Sequence, residues 1–566
     1  MTLFIDGRPV TPLAGQTLLS MCREAGFGPS DLREEPLAAK IGGEVFTLSF
    51  VPLRKDPDSD RESLRRAMAA SGGQVHLLRY ADYAGAEVYR RTALFVMFLA
   101  LRRLYPHARA KVGCLVGSAL FVKVEGAEDF SHLRLAEEIR RLVAEDIPLR
   151  RRRIATDKAV DYFRAHGNPD KASLLAYRTV PTLDVYTHGD YMDYFYGEMC
   201  HSTACLSVWE VERTEDGFVF LLPDRTDPTR PATLTHAPRY LSVYRQGERW
   251  GRLMECETVA DLNGLTESGR IRELVRVNEA LHERRFSHIA DRITEEGRRV
   301  VLLAGPSSSG KTTSANRLAT QLRVHGKKPL LLSLDEYYLD RDKILSGPDG
   351  KVDLEHIDTL DRELLGEQMG ALLSGATVEI PTFNFKRGKR EWTGHRLRLA
   401  EDSVLIVEGI HGLNPDLLPH LKDSASLLRL FVSPIPALSL DDHNRIPGSY
   451  LRLLRRIVRD LESRGTPLRQ TLAMWESVRR GEARWIMPYE ELADEIFNSA
   501  TLYELAVLKT HVYPLLLDVE PEEECYGDVR SIVKVLNYIK GAAIDDEIPP
   551  TSLVREFIGG NAFYRS

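Results

Sequence analysis

Four short apolar runs mark the second half of the chain: Arg299-Val-Val-Leu-Leu-Ala304, Lys328-Pro-Leu-Leu-Leu-Ser-Leu334, Ser403-Val-Leu-Ile-Val407 and Leu427-Leu-Arg-Leu-Phe-Val432. Runs this short, without polar alternation, predict strands buried on both faces, as in a parallel sheet. Between the first two runs, Ala315, Leu318, Ala319 and Leu322 recur at helical spacing, and Gly326 closes that helix. A longer helix is predicted over about Ile271 to Glu296. Its apolar face carries Phe286, Ile289 and Ile293, and should pack on the sheet that begins at Val300. Strands alternating with helices predict an α/β fold, a parallel sheet with helices on both faces.

The first half follows a different rhythm. Leu3–Val10 predicts a hairpin with Asp6-Gly7 at its turn. Thr17–Ala25 predicts a short helix ended by Gly26. Two more strands are predicted around Leu37–Ile41 and Val45–Phe50, joined by Gly42-Gly43. Two strands, a helix and two strands suggest a small β-grasp module over residues 1–60. Residues 61–225 predict an α+β domain. It has a strongly apolar helix at Ala86–Leu104, a strand pair at Lys111–Val124 and an amphipathic helix at Leu133–Glu145. Pro228, Pro231 and Pro238 mark a linker that opens the stretch 226–298. A catalytic domain at 299–500 and a helical extension at 501–566 complete the expected layout.

Composition narrows the class. Apolar residues make up 43% of the 566 and charged residues 28%, an ordinary core-forming balance. A net charge of −6 argues against generic nucleic-acid coating, though not against a local basic surface. The six cysteines are scattered with no CxxC pair, which fits a reducing cytoplasm rather than a disulfide framework. The N-terminus lacks the order of a signal peptide, and the longest apolar run, Ala93–Leu101, is too short to span a bilayer. The expected location is the cytoplasm, with no membrane partner.

The chemistry concentrates after the first apolar run. Gly305-Pro-Ser-Ser-Ser-Gly310-Lys311-Thr312 has the spacing Gly, four residues, Gly-Lys-Thr. Between a strand and a helix, such a loop turns backbone N–H groups and a helix N-terminus toward a phosphate chain. Gly305, Ser307, Ser308, Ser309, Gly310, Lys311, Thr312 and Thr313 are the candidate nucleotide-binding residues. Lys311 would reach the β- and γ-phosphates, and Thr312 would hold Mg²⁺. The second run ends at Asp335-Glu336-Tyr337-Tyr338, and in open α/β sheets the chemistry lies past the C-terminal strand ends. Phosphoryl transfer to an alcohol needs a carboxylate that orients and deprotonates the hydroxyl, plus cations that neutralise the phosphoryl oxygens. Asp335 fits the first role. A helix N-cap or a magnesium-water ligand is the plainer alternative for it, and Asp340 and Asp342 are its rivals. Glu408, ending the third run, is the second acid and would hold Mg²⁺ directly or through water. Arg452, Arg455, Arg456, Arg459 and Arg464 then crowd one helix, with 452, 456 and 459 on one face. That bias predicts an arginine-lined lid over the triphosphate.

Two further groups carry weaker signals. Cys200-His201 with Cys205 matches no standard zinc spacing and reads as core. Arg150–Arg153 is either a solvated strand edge or a contact for RNA phosphates, the former being the commoner use.

Over about residues 299–500 these motifs together resemble the uridine kinase and phosphoribulokinase-like P-loop kinases. Uridine–cytidine kinases carry Asp-Ser-Phe-Tyr, whose Asp is the base; the corresponding residues are Asp335-Glu-Tyr-Tyr338. Their ribose-contacting acidic segment is similar to Asp353-Leu-Glu355-His356-Ile-Asp358, with Glu355 at the sugar-binding acid. Their Phe-Glu-Gly-Ile is matched by Val407-Glu408-Gly409-Ile410, and their lid by Arg455-Arg456-Ile-Val-Arg459-Asp460 and Arg464-Gly465. The resemblance implies catalysis by Asp335, Lys311, Arg456 and Arg459, and substrate binding by Glu355, His356, Phe383 and Arg464. It also implies ATP and Mg²⁺. Two base-reading positions depart: Phe383 stands at the family's Tyr and Gly388 at its His, while Thr466 replaces a lid arginine. The pyrimidine hydrogen bonds are therefore not carried over.

The N-terminal modules carry resemblances of their own. Residues 1–60 resemble the TGS domain. Leu104-Tyr-Pro, the Arg150–Arg153 block and Tyr191-Met-Asp-Tyr194 with Gly197 resemble the second N-terminal, editing domain of threonyl-tRNA synthetase. That domain uses a His-x-x-x-His pair with a later Cys and His. Here Arg91, Phe95, Phe195 and Met199 occupy those places, so the resemblance implies a retained scaffold without the editing chemistry. Asp442-His-Asn-Arg-Ile446 and Arg555-Glu-Phe-Ile-Gly-Gly560 complete a likeness to bacterial nucleoside kinases with such modules. The expected activity is ATP- and Mg²⁺-dependent phosphorylation of a nucleoside 5′-hydroxyl. The alternatives are a kinase for another sugar or RNA acceptor, and a non-catalytic, nucleotide-dependent regulator that binds RNA or tRNA through the N-terminal half. The absence of an Asn-Lys-x-Asp motif after the loop counts against the last.

Overall fold

The computed structural model describes residues 2–52, 71–344, 355–384, 387–421, 424–521 and 523–563. Its catalytic half is built on five parallel strands. Their spatial order is Lys328–Ser333, Ser403–Glu408, Val300–Ala304, Leu427–Ser433, Glu495–Asn498. The first strand in sequence is thus central, and the expected second, third and fourth strands flank it. The fifth has only four residues with polar ends, too short a run to stand out.

Successive side chains of these strands face opposite sides. Val300, Leu302, Leu405 and Val407 join one core with Leu365, Met369 and Leu372 of the helix Arg362–Leu373. Val301, Leu303, Val404 and Ile406 join another with Leu318 and Leu322 of the loop helix, Lys311–Val324. Phe286, Ile289 and Ile293 of the helix Ile271–Glu295 cover that second face, as their spacing predicts. Leu553, from the far end of the chain, enters the same core.

At the N-terminus, five short strands pair in the order Arg8–Val10, Leu3–Ile5, Gln74–Leu78, Ala38–Ile41, Glu44–Thr47. Asp6 (φ 43°) and Gly7 (φ 82°) make the predicted hairpin turn, and Thr17 caps the helix Leu18–Glu24. Gln74–Leu78 runs parallel to Leu3–Ile5 and antiparallel to Ala38–Ile41. The sheet therefore continues past residue 60, where the sequence places a boundary.

The helix Tyr83–Leu104 is buried at every position from Thr92 to Leu101. It lies against a four-stranded antiparallel sheet, Glu210–Thr214, Gly217–Leu221, Ala119–Glu125, Arg109–Val116. A three-stranded sheet combines Tyr191–Asp193, Thr182–His188 and Arg151–Ala155. The stretch that opens as a Pro-rich linker holds two helices, Pro238–Leu253 and Val259–Glu267, before the long one. Pro238 sits in the first helical turn, where its missing N–H costs nothing.

The Asp442-His443-Asn444 motif ties the two halves together. Asp442 accepts from Arg109 Nε at 2.6 Å and Nη2 at 3.1 Å, and His443 Nδ1 lies 2.7 Å from Asp193 Oδ2. Lys171, fully buried, lies 2.7 Å from Asp193 Oδ1 and 3.4 Å from Asp441 Oδ1. Among the described residues, no helix is long and apolar enough to cross a membrane.

Candidate active site

The phosphate loop leaves the end of Val300–Ala304 and enters the loop helix through Gly310, whose φ of 91° only glycine adopts freely. A Cβ at Gly305 would lie 2.0 Å from the Val432 carbonyl oxygen, so the loop is threaded against the neighbouring strand end. The Ser308 and Ser309 hydroxyls are buried with no partner among the described residues, and Lys311 Nζ donates to the Pro306 carbonyl at 3.1 Å. A loop with orphan hydroxyls and an inward lysine is a seat for an anion, and the residues present fit a triphosphate. Thr312 is exposed at the helix start. The Thr313 amide and hydroxyl donate to Glu556 Oε2, at 3.2 and 2.7 Å.

Asp335 and Glu408 end neighbouring strands. Ser333 pairs with Glu408 in register, donates from Oγ to Glu408 Oε1 at 3.1 Å, and accepts from the Asp335 amide at 3.3 Å. Ser333, not Asp335, therefore caps the short turn Leu334–Tyr337. The surrounding protein raises the Asp335 pKa from its ordinary value, against the pull of Lys311, Arg464 and Arg459. Burial, and then the Asp335 charge, raise Glu408. Burial also lowers Lys311, opposed by Glu408, Asp335 and Glu556. Two crowded carboxylates beside one lysine suit a divalent cation, which would offset their repulsion. The rivals are engaged elsewhere. Asp340 Oδ1 accepts from the Arg390 amide at 2.9 Å, and Asp342 lies 3.9 Å from Lys389 Nζ.

The arginine helix spans Gly448–Arg464 and ends at Gly465 in a left-handed cap. Its arginines differ in task. Arg452 grips Glu482 through both terminal nitrogens and donates to the Ser307 carbonyl at 3.1 Å, while Glu482 Oε1 accepts from the Ser307 amide at 2.9 Å. Arg455, fully buried, pairs with Glu504 and reaches the Ser308 carbonyl at 3.3 Å. These two brace the loop from outside rather than cover a nucleotide. Arg456 Nη1 lies 3.0 Å from Ser307 Oγ, with Nε on Asp460 at 3.1 Å. Arg459 lies 3.9 Å from both Asp460 and Glu556, and burial pulls its pKa down to about 10. Arg464, half exposed, reaches Asp460 at 3.4 Å. Glu482, Glu504 and Glu556 were missed as site residues. Only Glu556 stands in a motif that the sequence singles out.

On the acceptor side, Glu355 and Asp335 both act on the Tyr338 phenol, whose pKa burial raises strongly. His356 Nδ1 accepts from the Asp358 amide at 3.0 Å, and its ring meets Trp485 edge-on at 4.1 Å. Phe383 is buried, 5.7 Å from the Tyr338 ring, and its amide donates to Glu336 Oε2 at 2.6 Å. Gly388 has a φ of 66°, a left-handed conformation that favours glycine. Asp353 and Leu354 lie outside the described residues.

A cavity of about 920 Å³ lies elsewhere, between the first sheet, the helix Tyr83–Leu104 and the helix Leu468–Trp485. Arg91 and Phe195 line it. Arg91 Nε donates to the Glu198 carbonyl at 2.8 Å, Phe95 packs 5.3 Å from Tyr191, and Met199 is buried, so none offers a metal ligand. Cys205 Sγ lies 3.5 Å from His201 Nδ1, and no cluster of three metal-ligating side chains forms among the described residues. Arg151 and Arg153 of the basic block pair with Glu198 and Asp184.

A central strand, a phosphate loop at its end, and acids ending the next two strands on one side of it define a P-loop phosphotransferase. Residues 300–506 match the phosphoribulokinase / uridine kinase family. The uridine kinase of Ligilactobacillus salivarius is 32% identical over 209 residues, 37% of this chain and 88% of that one. The uridine kinase of Vibrio vulnificus is 28% identical over 222 residues, 38% of this chain and 95% of that one. The solved D-glycerate 3-kinase of Cryptococcus neoformans is 18% identical, covers 35% of this chain and 79% of that one, and superposes with a TM-score of 0.23. The chain belongs to the phosphoribulokinase / uridine kinase family.

Proposed function

We propose that the protein transfers the γ-phosphoryl group of ATP to the 5′-hydroxyl of a nucleoside. The observation that carries this reading is the convergence of Lys311, Asp335 and Glu408 on the mouth of the phosphate loop, with the Ser333 hydroxyl joining the Asp335 amide to the Glu408 carboxylate. Loop amides and Lys311 hold the phosphate chain. Asp335 orients the acceptor hydroxyl and takes its proton, for which its raised pKa makes it a stronger base than an ordinary aspartate. Thr312 and Glu408 would hold Mg²⁺, which supplies positive charge to the phosphoryl oxygens when bound. Arg456 and Arg459 add fixed positive charge where the transition state spreads negative charge. Glu355 and His356 form the acceptor side, supported by their place beside Tyr338 and Trp485. The likeness to uridine kinases supports a nucleoside, and the absent base-reading pair at Phe383 and Gly388 argues against strict pyrimidine choice.

The N-terminal sheet, with its last strand parallel to its first, supports the β-grasp, TGS-like reading of the first module. The sheets around Tyr83–Leu104 support the editing-like reading of the second, as a scaffold without metal ligands. Six free thiols fit a cytoplasmic protein. The deciding experiment is a panel of nucleosides, free sugars and RNA ends incubated with ATP and Mg²⁺, scored by phosphate transfer. Transfer to a nucleoside is expected. Transfer to sugars or RNA ends alone would replace the acceptor, and transfer to none would sink the reading.

A further inference from the structure

The C-terminal motif Arg555-Glu-Phe-Ile-Gly-Gly560 has no part in the reaction just described, yet it stands at the phosphate loop. Leu553 is buried against Gly310, where a Cβ would lie 2.3 Å from its Cδ2. Ser552 Oγ donates to Glu279 Oε1 at 2.7 Å, and Phe557 is buried beneath the Arg455 guanidinium, 4.9 Å from ring centre to Cζ. This anchored turn aims one charged side chain at the loop helix. Glu556 Oε2 accepts from the Thr313 amide at 3.2 Å and from Thr313 Oγ1 at 2.7 Å, and Glu556 Oε1 lies 3.9 Å from Arg459. The side chain is 7% exposed, and its charge reaches Lys311 and Glu408.

Those partners are the ones a phosphate uses. An amide in the first turn of a helix, a hydroxyl beside it and a nearby guanidinium favour an anion, and the amides of this loop are the cradle for the α- and β-phosphates. We propose that Glu556 is a built-in phosphate surrogate, so that nucleotide binds only by displacing its carboxylate from Thr313. Ser552, Leu553 and Phe557 keep the turn in place, so displacement is a rotation of the Glu556 side chain away from the loop. The consequence is a tax on nucleotide affinity. Each competent complex first loses two hydrogen bonds at Thr313, and the freed carboxylate adds to the negative charge around the incoming phosphates. The inference rests on Gly305–Thr313 being a phosphate site, not on which acceptor is phosphorylated.

Calorimetric titration of the full chain with MgATP, and separately with AMP, tests it. Glu556→Gln keeps the shape and removes the charge, and Glu556→Ala removes the acceptor altogether. Both should bind MgATP and AMP more tightly, on the order of tenfold for the alanine variant. Unchanged or weaker binding in both variants would overturn the proposal and make Glu556 a brace of the loop or a ligand of the nucleotide. The readout is binding, so tighter binding by the variants supports the proposal even if no nucleoside is phosphorylated, and a failed acceptor panel is a separate result.

Discussion

The Glu482 carboxylate accepts from the Ser307 amide at 2.9 Å while Arg452 holds the same carboxylate with two nitrogens. The arginine helix, the helix Leu468–Trp485 and the phosphate loop thus share one buried ion pair. Breaking it leaves Glu482 charged and unmatched. Arg452→Ala should cost about 3–5 kcal/mol of stability. A urea titration followed by circular dichroism reads the shift, and a midpoint within error of wild type would refute the buried-pair account.

Asp335→Asn separates binding from chemistry. The loop keeps its amides and Lys311, so the dissociation constant for MgATP should move little. Turnover should fall by roughly 10²–10⁴, the usual contribution of a general base. Turnover close to wild type would remove Asp335 from that role.

Glu408 has a pH signature. Its folded pKa is raised above the unfolded value by burial and by Asp335. Between those two values the folded state holds a proton that the unfolded state has lost. Stability without metal should therefore fall as pH rises from the ordinary carboxylate range through the raised value. Glu408→Gln should flatten that fall and raise the melting temperature of the metal-free protein near neutral pH. Mg²⁺ with ATP should stabilise wild type more than the variant. Differential scanning fluorimetry across pH checks both.

Lys171 is the cation of the junction between the halves. Lys171→Met keeps its bulk but leaves Asp193 and Asp441 buried without it, and should destabilise by about 3–5 kcal/mol. Limited proteolysis should then cut more readily near residues 168–170 and 441–444. An unchanged proteolytic pattern would argue that the junction does not depend on this pair.

Legibility in the sequence followed the range of the interactions involved. The buried strands read correctly because a parallel strand carries its whole signal in its own apolar run. Asp335 and Glu408 could be placed because each directly ends such a run. Glu495–Asn498 escaped because its burial comes from neighbours, not from its own four residues. Gln74–Leu78 escaped because the strands it pairs with, Leu3–Ile5 and Ala38–Ile41, lie more than thirty residues away in sequence. The arginine helix was legible as a cluster of charge but not as a division of labour. Arg452 and Arg455 are spoken for by Glu482 and Glu504, acids 30 and 49 residues downstream. Glu556 was visible within a motif, but its meaning needed the distance to Thr313.

The insertion of Leu553 into the core that holds Val301, with Phe286 and Ile293 from upstream, bears on how this enzyme could be dissected. The stretch that matches the family, 300–506, contains neither the helix that covers one face of its own sheet nor the residue that plugs the bottom of its loop. Expressed alone, it would open an oily flank to water and expose the loop helix from below. What descends as a kinase is shorter than what folds as one. An excised catalytic unit would need at least the stretch from about residue 271 through Leu553, and it would still leave Asp441 and Asp442 without Lys171 and Arg109.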